Sequence, residues 1–546
     1  MALSEAAGPQ TAPVIEETIS ANLARAVAAH PDREALVVRH QDIRWTYREL
    51  AERVDELARA LVARGFVAGD RLGIWAPNCA EWVLVQFATA RIGVILVNIN
   101  PAYRTHEVAY ALDQSGCRGL ISATTFKTSD YVAMVEEVQA GGTGVEHVVF
   151  LGTDDWTDLL AGADDIEPVR LDEIEASLSP QDPINIQYTS GTTGYPKGAT
   201  LSHRNILNNA FFVGEGCRYT HEDRVCVPVP FYHCFGMVMG TLGCTTHGAT
   251  IVVPSDGFEP AATLEAVADE RCTSLYGVPT MFIAMLALND FESYDLASLR
   301  TGIMAGSPCP VEVMKQCIER MNMDEVTICY GMTETSPVST QTATDDPIDK
   351  RVGTVGRVHP HVEIKIVDPE SGVTVERGGP GEFCTRGYSV MIGYWNDPER
   401  TAEAIDGDGW MHTGDLAEMD ADGYVNIVGR IKDMIIRGGE NVYPREIEEF
   451  LYGHPRIRDV QVIGVPDEKY GEEIMAWIQT EDGEDITIEE VRAFCQGKIA
   501  HYKVPRYVAA AGEFPMTVTG KIQKFKLRED AVERFGLQPA AGIETA

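Results

Sequence analysis

The chain has 546 residues, a formal net charge of −37 and a pI near 4.7. This length predicts two or more domains, because a single hydrophobic core stops growing at about 250–300 residues. The acidic charge argues against a nucleic-acid-binding protein, which needs basic patches to neutralise phosphates. It also disfavours docking on an anionic membrane by charge alone.

Cysteines and hydropathy indicate where the protein resides. Twelve cysteines are scattered without a C-x-x-C pair, which is typical of buried thiols in a reducing compartment and not of a zinc site. The first twenty residues contain no Lys or Arg and no long apolar run, so we expect no signal or transit peptide. The most apolar stretch, Trp82–Val97, is interrupted by Gln86 and Arg91. We therefore predict a cytoplasmic protein without a transmembrane segment.

The first two thirds of the chain alternate between strand and helix patterns. Thr46 and Glu49 form a capping box for an amphipathic helix that should end at Gly65. Strand–helix–strand units follow, an order typical of a parallel sheet, so we predict a large layered α/β domain. The predicted strands are Arg71–Ala76, Val94–Asn98, Ala249–Val253, Thr273–Gly277, Thr301–Met304 and Val326–Tyr330, and the predicted helices among them are Cys79–Ile92 and Pro260–Glu270.

The pattern changes after Val362 to short alternating strands with glycine-rich turns, which predicts a β-rich subdomain. A small α+β unit should follow, with a boundary between Gly429 and Asp433 that divides the chain into residues 1–430 and 431–546. The predicted strands here are Glu363–Val367, Gly381–Arg386, Gly423–Val428, Val460–Val465 and Ile474–Gln479, and the predicted helices are Glu446–Gly453 and Thr487–Ile499.

One loop has the composition of an anion-binding site. Residues 188–198 read Y-T-S-G-T-T-G-Y-P-K-G. Glycines let backbone N–H groups turn toward a ligand, hydroxyls add neutral donors, and Lys197 adds a charge for phosphate oxygens. Pro196 stands where the common P-loop requires glycine. A flexible, solvated loop is the plain alternative. We expect the segment after it, Leu201–His203, to continue as a helix and assign it no chemistry.

Two further motifs contain residues suited to a nucleotide. Tyr330–Glu334 directly follows an apolar strand, and ligands in open α/β sheets bind beyond the carboxyl ends of strands. Asp415 ends the run Trp410–Asp415, and an acidic side chain that accepts from ribose hydroxyls is a recurring nucleotide-binding device. We propose it for the ribose, with Arg430 assisting. A strand exit and a β-turn are the plain alternatives for the two motifs.

Together with Gly520–Lys521 near the C-terminus, these motifs resemble those of the adenylate-forming superfamily, which comprises acyl-CoA synthetases, peptide-synthetase adenylation domains and firefly-type luciferases. The resemblance extends from about residue 15 to about residue 530. The runs 429–441 and 520–524 are most similar in wording to the medium-chain acyl-CoA synthetases of bacteria and mitochondria.

The resemblance implies a role for each site residue. Phosphate binding falls to Thr189, Ser190, Gly191, Thr192, Thr193, Gly194, Tyr195, Pro196 and Lys197. The adenine and the ribose are bordered by Gly306, Ser307, Pro308, Tyr330, Asp415 and Arg430. The catalytic candidates are Thr333 at the α-phosphate, Glu334 on Mg²⁺, Lys521 bridging the substrate carboxylate and α-phosphate, and His233.

The resemblance also implies an acyl pocket and a moving small domain. The pocket would be lined by His233, Phe235, Met237, Tyr276 and Gly277. No carboxylate stands near Phe235, where amino-acid-activating relatives carry an Asp, so we expect a plain aliphatic or aryl acid. The small domain would hinge at Lys432 and present Arg437, Gly438 and Gly439 along the path of coenzyme A.

The implied activity is an ATP-dependent fatty acid–CoA ligase that forms an acyl-adenylate and then acyl-CoA, with medium-chain acids as the expected substrates. ATP, Mg²⁺ and coenzyme A are the expected small molecules, and formation of a homodimer is left open. The alternatives are an aryl-CoA ligase, an enzyme that loads a carrier protein, a nucleotide-binding protein without activity, and a luciferase-type oxygenase. The presence of Glu334 and Lys521 argues against the inactive protein, and the short tail after Arg528 argues against a fused carrier domain.

Overall fold

The computed structural model describes residues 2–189, 196–307, 309–437, 440–467, 469–481, 483–496, 498–499, 501–517 and 522–537. The described chain up to Arg430 forms three large sheets with helices between and around them, together with a two-stranded hairpin, Thr125–Phe126 with Ser129–Asp130. The chain after Arg430 forms a further sheet with its own helices. The predicted class is confirmed: a layered α/β region with parallel sheets, a β-rich part and a smaller C-terminal α+β part.

The first sheet, called the loop sheet, carries both ends of the predicted phosphate loop. Its inner strands are parallel, and the last two are antiparallel. The order across it is His147–Phe150, Gly119–Ser122, Arg71–Trp75, Ile95–Asn98, Pro183–Thr189, Lys197–Ser202 and Gly393–Tyr394.

The second sheet, called the central sheet, is parallel in its middle and antiparallel at both ends. Its order is Ile43–Thr46, Glu34–Val38, Thr250–Val253, Arg224–Cys226, Ser274–Gly277, Thr301–Ala305, Glu325–Gly331, Val338–Gln341 and Arg357–Val358. Strands Thr301–Ala305 and Glu325–Gly331 run parallel side by side, so the segments that follow them emerge at one edge.

A shared hydrophobic core joins the two sheets. Helix Tyr47–Ala63 has the predicted capping box at Thr46 and Glu49. Helix Ala80–Ile92 is buried almost all round, which explains its predominantly apolar sequence. The other helices of the large region are Ile19–Ala29, Thr105–Ser115, Tyr131–Ala140, Asp154–Ala161, Val169–Glu175, His203–Gly216, Gly243–Thr245, Pro260–Asp269, Pro279–Leu286, Val311–Met321, Ile348–Gly353 and Pro398–Ala404.

The third sheet is antiparallel and lies where the sequence predicts the β-rich subdomain. Its order is Glu5–Ala7, Val362–Val367, Gly381–Gly387, Met411–Met419 and Val425–Arg430. The pairing sets Asp415 directly opposite Arg430.

The C-terminal sheet contains a long antiparallel pair, Ile457–Asp467 with Gly471–Thr480. Its other strands are Ile435–Arg437, Glu440–Val442 and Tyr507–Ala510. Helices Pro444–Tyr452, Ile488–Cys495 and Lys524–Arg534 cover it. Its buried side chains group into clusters drawn entirely from residues 435–531, separate from those of the large region.

One sequence prediction is wrong. Leu201 and Ser202 do not continue a helix after the phosphate loop, because Lys197–Ser202 is a strand that pairs back on Pro183–Thr189. The helix begins at His203, with the Ser202 side chain accepting from the Asn205 N–H as its cap.

The cysteine prediction agrees with the structure. All twelve cysteines lie in the described part of the chain, where each is buried with a free thiol. Across the described ranges, no helix is both long and apolar enough to span a bilayer.

Candidate active site

The ends of the predicted phosphate loop are fixed by a β-hairpin. Thr189 at the end of one strand pairs with Lys197 at the start of the next. Residues 190–195, which include Ser190, Gly191, Thr192, Thr193, Gly194 and Tyr195, lie outside the described residues. The described flanks, Thr189 and Pro196–Lys197, therefore set where the loop leaves and re-enters the sheet.

Glu334 lies beside this hairpin. Its carboxylate Oε1 accepts a hydrogen bond from Thr189 Oγ1 at 3.3 Å and one from the Tyr394 hydroxyl at 2.8 Å. The ammonium of Lys197 lies 4.9 Å from the centre of the Tyr394 ring. Burial, together with neighbouring Glu334, raises the pKa of Tyr394, so its phenol stays protonated and donates. Three predicted site residues thus meet around one tyrosine.

A tight turn after a strand of the central sheet places Glu334 beside the hairpin. Strand Glu325–Gly331 ends at Gly331, where a Cβ would overlap the backbone of Pro337. A short 3-10 turn, Thr333–Thr335, follows and buries both Thr333 and Glu334. The carbonyl of Glu334 accepts from the Met391 N–H at 2.9 Å. The main chain around the carboxylate is therefore held on both sides.

Tyr330, Asp415 and Arg430 form a second group. The Tyr330 hydroxyl donates to Asp415 Oδ2 at 2.8 Å, and Arg430 Nε lies 3.0 Å from Asp415 Oδ1. Burial raises the pKa of Tyr330 well above its usual value, so the phenol remains a donor. The Arg430 side chain is largely exposed, whereas Asp415 is buried. The structure thus brings together three of the six residues assigned to adenine and ribose.

A hydrogen-bonded group next to Asp415, formed by Glu382, Cys384 and His412, was not predicted from the sequence. Glu382 Oε2 lies 2.8 Å from His412 Nδ1, and Glu382 Oε1 accepts from the Gly414 N–H at 3.0 Å. Cys384 Sγ lies 3.5 Å from the same histidine nitrogen. These three side chains have metal-ligating atoms close together, but their mutual hydrogen bonds already account for the arrangement. His412 lies within the motif that ends at Asp415, and this position was the sequence feature that could have indicated its role.

The segment after strand Thr301–Ala305 lies at the same edge of the central sheet as Tyr330. Gly306 has a φ of 91°, a left-handed conformation that favours glycine. Ser307 follows it, and Pro308 lies outside the described residues. Gly306 and Ser307 are therefore near the strand end that carries Tyr330, as the adenine assignment requires.

Two predicted acyl-pocket residues, Phe235 and Met237, belong to a π-helix, Phe235–Leu242, whose residues are all buried. The rings of Phe235 and Tyr276 are 5.4 Å apart, and the Tyr276 hydroxyl donates to the Met239 carbonyl at 3.3 Å. Met237 is buried. π-Helical turns occur frequently at functional sites, and nothing in the apolar sequence distinguishes this one from an α-helix.

Two other predicted pocket residues border this group. The half-buried His233 precedes the π-helix, and its Nδ1 accepts from the Phe235 N–H at 3.2 Å. Gly277 ends a central strand, and a Cβ there would lie 2.9 Å from the ring of Phe282. A larger residue at position 277 would therefore clash with the Phe282 ring.

In the C-terminal part, Arg437 forms a bidentate ion pair. Its Nε and Nη2 contact the two oxygens of the fully buried Glu473 at 2.8 and 2.7 Å. Lys432 belongs to the short 3-10 turn Ile431–Asp433. The predicted residues Gly438, Gly439 and Lys521 lie outside the described residues, so their placement stays a prediction.

The Glu334 carboxylate is suited to binding a magnesium ion. Hard cations such as Mg²⁺ prefer carboxylate oxygens and usually bind one or two carboxylates together with substrate phosphates. Both hydroxyls that the described residues direct at Glu334 contact Oε1. Neither of them contacts Oε2, and Thr189, which donates to Oε1, belongs to the phosphate-loop hairpin.

The fold and this arrangement define a nucleotide-binding enzyme of the adenylate-forming class. The family model described as "AMP-binding enzyme" matches residues 23–395, and that of its C-terminal domain matches residues 446–521. The chain belongs to the AMP-binding enzyme family.

The similar proteins cover nearly all of the chain. A putative acyl-CoA synthetase of Bacillus subtilis, YngI, is 49% identical over 96% of this chain and 99% of its own length. The human mitochondrial medium-chain acyl-CoA ligase ACSF2 is 46% identical over 93% of this chain and 86% of its own.

Solved structures match equally broadly. The anthranilate CoA ligase AuaEII, in complex with anthranoyl-AMP, has a TM-score of 0.86 at 27% identity and covers 96% of this chain and 99% of its own. ATP-bound MatB from Rhodopseudomonas palustris has a TM-score of 0.84 at 30% identity, covering 95% and 100%.

Proposed function

We propose that this protein is an AMP-forming acyl-CoA synthetase that activates medium-chain fatty acids. The observation that carries the proposal is the meeting of Thr189, Lys197 and Glu334 at the phosphate-loop hairpin. The ligase relatives, with 46–49% identity over almost the whole chain, support the choice of reaction and of acid.

In the first half-reaction an oxygen of the fatty acid carboxylate attacks the α-phosphorus of ATP. The bond from that phosphorus to the bridging oxygen of pyrophosphate breaks, and acyl-AMP remains. Lys197 and the loop bind the departing phosphates, and Thr333 binds the α-phosphate. Lys521 offsets the repulsion between the two anions that must meet.

In the second half-reaction the thiol of coenzyme A attacks the acyl carbonyl, the thiol proton is lost, and AMP leaves with the bond electrons. Dividing the reaction converts a poor electrophile into a reactive mixed anhydride. Arg437, Gly438 and Gly439 would line the path of the pantetheine arm, because glycines permit close passage of a narrow chain.

Glu334 would hold Mg²⁺ through its carboxylate. When bound, the ion neutralises charge on the phosphate oxygens. Asp415 would accept from the ribose hydroxyls, and its fixed contacts with Tyr330 and Arg430 keep it in place before ATP arrives. Such preorganisation removes a reorganisation cost from the reaction.

The acyl chain would lie against Phe235, Met237 and Tyr276. This wall is apolar and contains a flexible thioether, which suits an unbranched aliphatic chain. An aryl acid is the second candidate, because the fold matches an anthranilate CoA ligase across almost its whole length.

Residues 1–430 and 431–546 would be separate domains, a division supported by their separate buried clusters. A cytoplasmic location, supported by the bacterial relative, is part of the proposal; the ACSF2 relatives are named as mitochondrial. Assembly as a homodimer remains open to measurement.

The first test measures pyrophosphate release with Mg²⁺ and ATP over a panel of carboxylic acids, with and without coenzyme A. We expect a maximum among straight-chain acids of roughly C6–C12 and thioester only when coenzyme A is present. A maximum confined to aryl acids would favour the second candidate. Acyl-adenylate that accumulates without forming a thioester when coenzyme A is present would contradict the ligase.

The second test separates the half-reactions. Lys521→Ala should abolish adenylate formation and largely spare thioester formation from supplied acyl-adenylate. Gly439→Trp should do the opposite by obstructing the coenzyme A path. Equal loss of both half-reactions in Lys521→Ala would contradict its assigned role.

A further inference from the structure

Tyr394 links groups to which the proposed function gives different tasks. Its hydroxyl donates to Glu334 Oε1 at 2.8 Å, and its ring faces the Lys197 ammonium at 4.9 Å. The residue is 8% exposed, so it belongs to the interior of the site. A tyrosine in this position touches both the proposed metal-binding carboxylate and the proposed phosphate-binding lysine.

The main chain around Tyr394 is rigidly attached to the hairpin. Tyr394 pairs with Ala199 on the strand that leaves the phosphate loop, and the Trp395 N–H donates to the Gly198 carbonyl at 2.7 Å. The Tyr394 N–H donates to Thr401 Oγ1 at 2.9 Å. Sites built on such fixed elements orient their side chains more accurately than free loops do.

The contacts with Glu334 select one orientation of its carboxylate. Tyr394 and Thr189 both donate to Oε1, at 2.8 and 3.3 Å. Hydrogen bonds to a charged acceptor are roughly twice as strong as neutral ones. A cation would therefore be bound through Oε2, which accepts from neither hydroxyl.

The contact between the Tyr394 ring and Lys197 concerns the lysine that is proposed to bind the phosphates of ATP. An ammonium near an aromatic face is attracted by the ring quadrupole. The flexible lysine stem is thereby confined above the ring before any phosphate is bound, which lowers the entropy lost on binding.

We propose that Tyr394 is a positioning residue that orients Glu334 toward Mg²⁺ and Lys197 toward the phosphates of ATP. The proposal rests on the proposed function, because it takes the metal and phosphate roles from it. The hydroxyl and the ring have separable tasks: the hydroxyl serves the metal, and the ring serves the lysine.

Tyr394→Phe separates these tasks because it removes the hydroxyl and keeps the ring. The dissociation constant of ATP is measured by calorimetry with and without Mg²⁺, in the absence of acid and coenzyme A. We expect the gain in affinity that Mg²⁺ provides to fall about tenfold, with ATP affinity in the absence of Mg²⁺ unchanged. Mn²⁺ binding to the enzyme–ATP complex, followed by electron paramagnetic resonance, should weaken in parallel.

Tyr394→Leu removes the ring as well, so affinity for Mg²⁺-free ATP should also fall, by about threefold. Tyr388→Phe is the matched control: Tyr388 is a buried tyrosine of the preceding segment that packs on Phe212. It should leave both dissociation constants unchanged.

A wild-type Mg²⁺ dependence in Tyr394→Phe would overturn the proposal. So would equal weakening with and without Mg²⁺ together with a lower melting temperature, which indicates a merely structural role. Failure of the proposed function looks different: the wild-type protein itself would release no pyrophosphate with any acid.

Discussion

At the residue scale, the candidate site holds its carboxylates before any ligand is present. Asp415 is fixed by a phenol and a guanidinium, and Glu334 by two hydroxyls. Both acids are buried. Replacement by the isosteric amide therefore tests the charge of each acid with little change of shape.

Asp415→Asn should raise the dissociation constant of ATP by about 10- to 100-fold, because the ribose hydroxyls lose a charged acceptor. Titration calorimetry in the absence of acid measures it. Asp420→Asn is the control, since Asp420 lies in the turn after the same strand and pairs with Lys350. Equal weakening in both variants would mean that Asp415 acts only through the fold of the hairpin.

His203 makes stability depend on pH. Its Nδ1 accepts from the Ile19 N–H at 3.2 Å, and burial lowers its pKa to about 4. In the unfolded chain the pKa is near 6.5, so the unfolded state binds more protons between these values. The stabilisation is complete above about pH 6.5 and is lost as the pH falls toward 4, at up to about 1.4 kcal/mol per pH unit.

His203→Gln should flatten this dependence, which urea unfolding midpoints between pH 7.5 and 4.5 would measure. The flattening should be partial, because burial also lowers the pKa of His359, to about 3. His106→Gln, at an exposed position, should keep the wild-type slope. An unchanged slope in His203→Gln would contradict the buried neutral imidazole.

Sequence motifs predicted the residues assigned to the nucleotide better than the residues that contact and hold them. Tyr330, Asp415 and Arg430 were grouped correctly although Asp415 and Tyr330 are 85 positions apart. Tyr394, Glu382 and His412 were given no role. Their contribution depends on contacts between distant segments, and local patterns contain no information about such contacts.

At the element scale, the strand end at Gly331 determines where Glu334 lies. A Cβ at Gly331 would overlap the Pro337 carbonyl oxygen across the turn. Because both groups are backbone-fixed, the clash can be relieved only by moving the turn that contains Thr333 and Glu334.

Gly331→Ala should therefore lower the melting temperature and weaken Mg²⁺-dependent ATP binding at least about tenfold. Gly353→Ala serves as the control, since a Cβ there meets nothing within 4 Å. Differential scanning fluorimetry and calorimetry measure the two effects. Wild-type ATP binding in Gly331→Ala would show that the turn tolerates displacement.

Element prediction succeeded where hydrophobic periodicity was strong and failed where pairing decided the outcome. The alternating β–α pattern located six parallel strands of the two large sheets to within one residue, among them Arg71–Trp75 and Thr301–Ala305. It did not predict five others, which are Glu34–Val38, Gly119–Ser122, His147–Phe150, Pro183–Thr189 and Arg224–Cys226. The strand Lys197–Ser202 was missed because its conformation comes from antiparallel pairing with Pro183–Thr189. The π-helix Phe235–Leu242 was also missed, because its apolar sequence suits any buried helix.

At the scale of the whole molecule, the C-terminal part has its own core and contacts the large part next to the predicted boundary. Arg445 Nη1 donates to the Ile427 carbonyl at 2.9 Å across the predicted boundary. Between them lies the short turn Ile431–Asp433. A small, self-contained unit on a short connection is suited to rigid-body rotation.

The proposed hinge at Lys432 leads to the last prediction. Lys432→Pro fixes φ at this position and restricts the residue before it, so the small domain should be confined to one orientation. One half-reaction should then persist while the other falls by about 100-fold, because its reacting groups are misplaced. Lys432→Ala removes the side chain but keeps the backbone free and should retain both rates. Single-turnover assays of adenylate formation and of thioester formation from acyl-adenylate measure the ratio. Equal losses of both half-reactions in the Lys432→Pro variant would indicate that the hinge lies elsewhere, because restricting the true hinge should affect the two half-reactions differently.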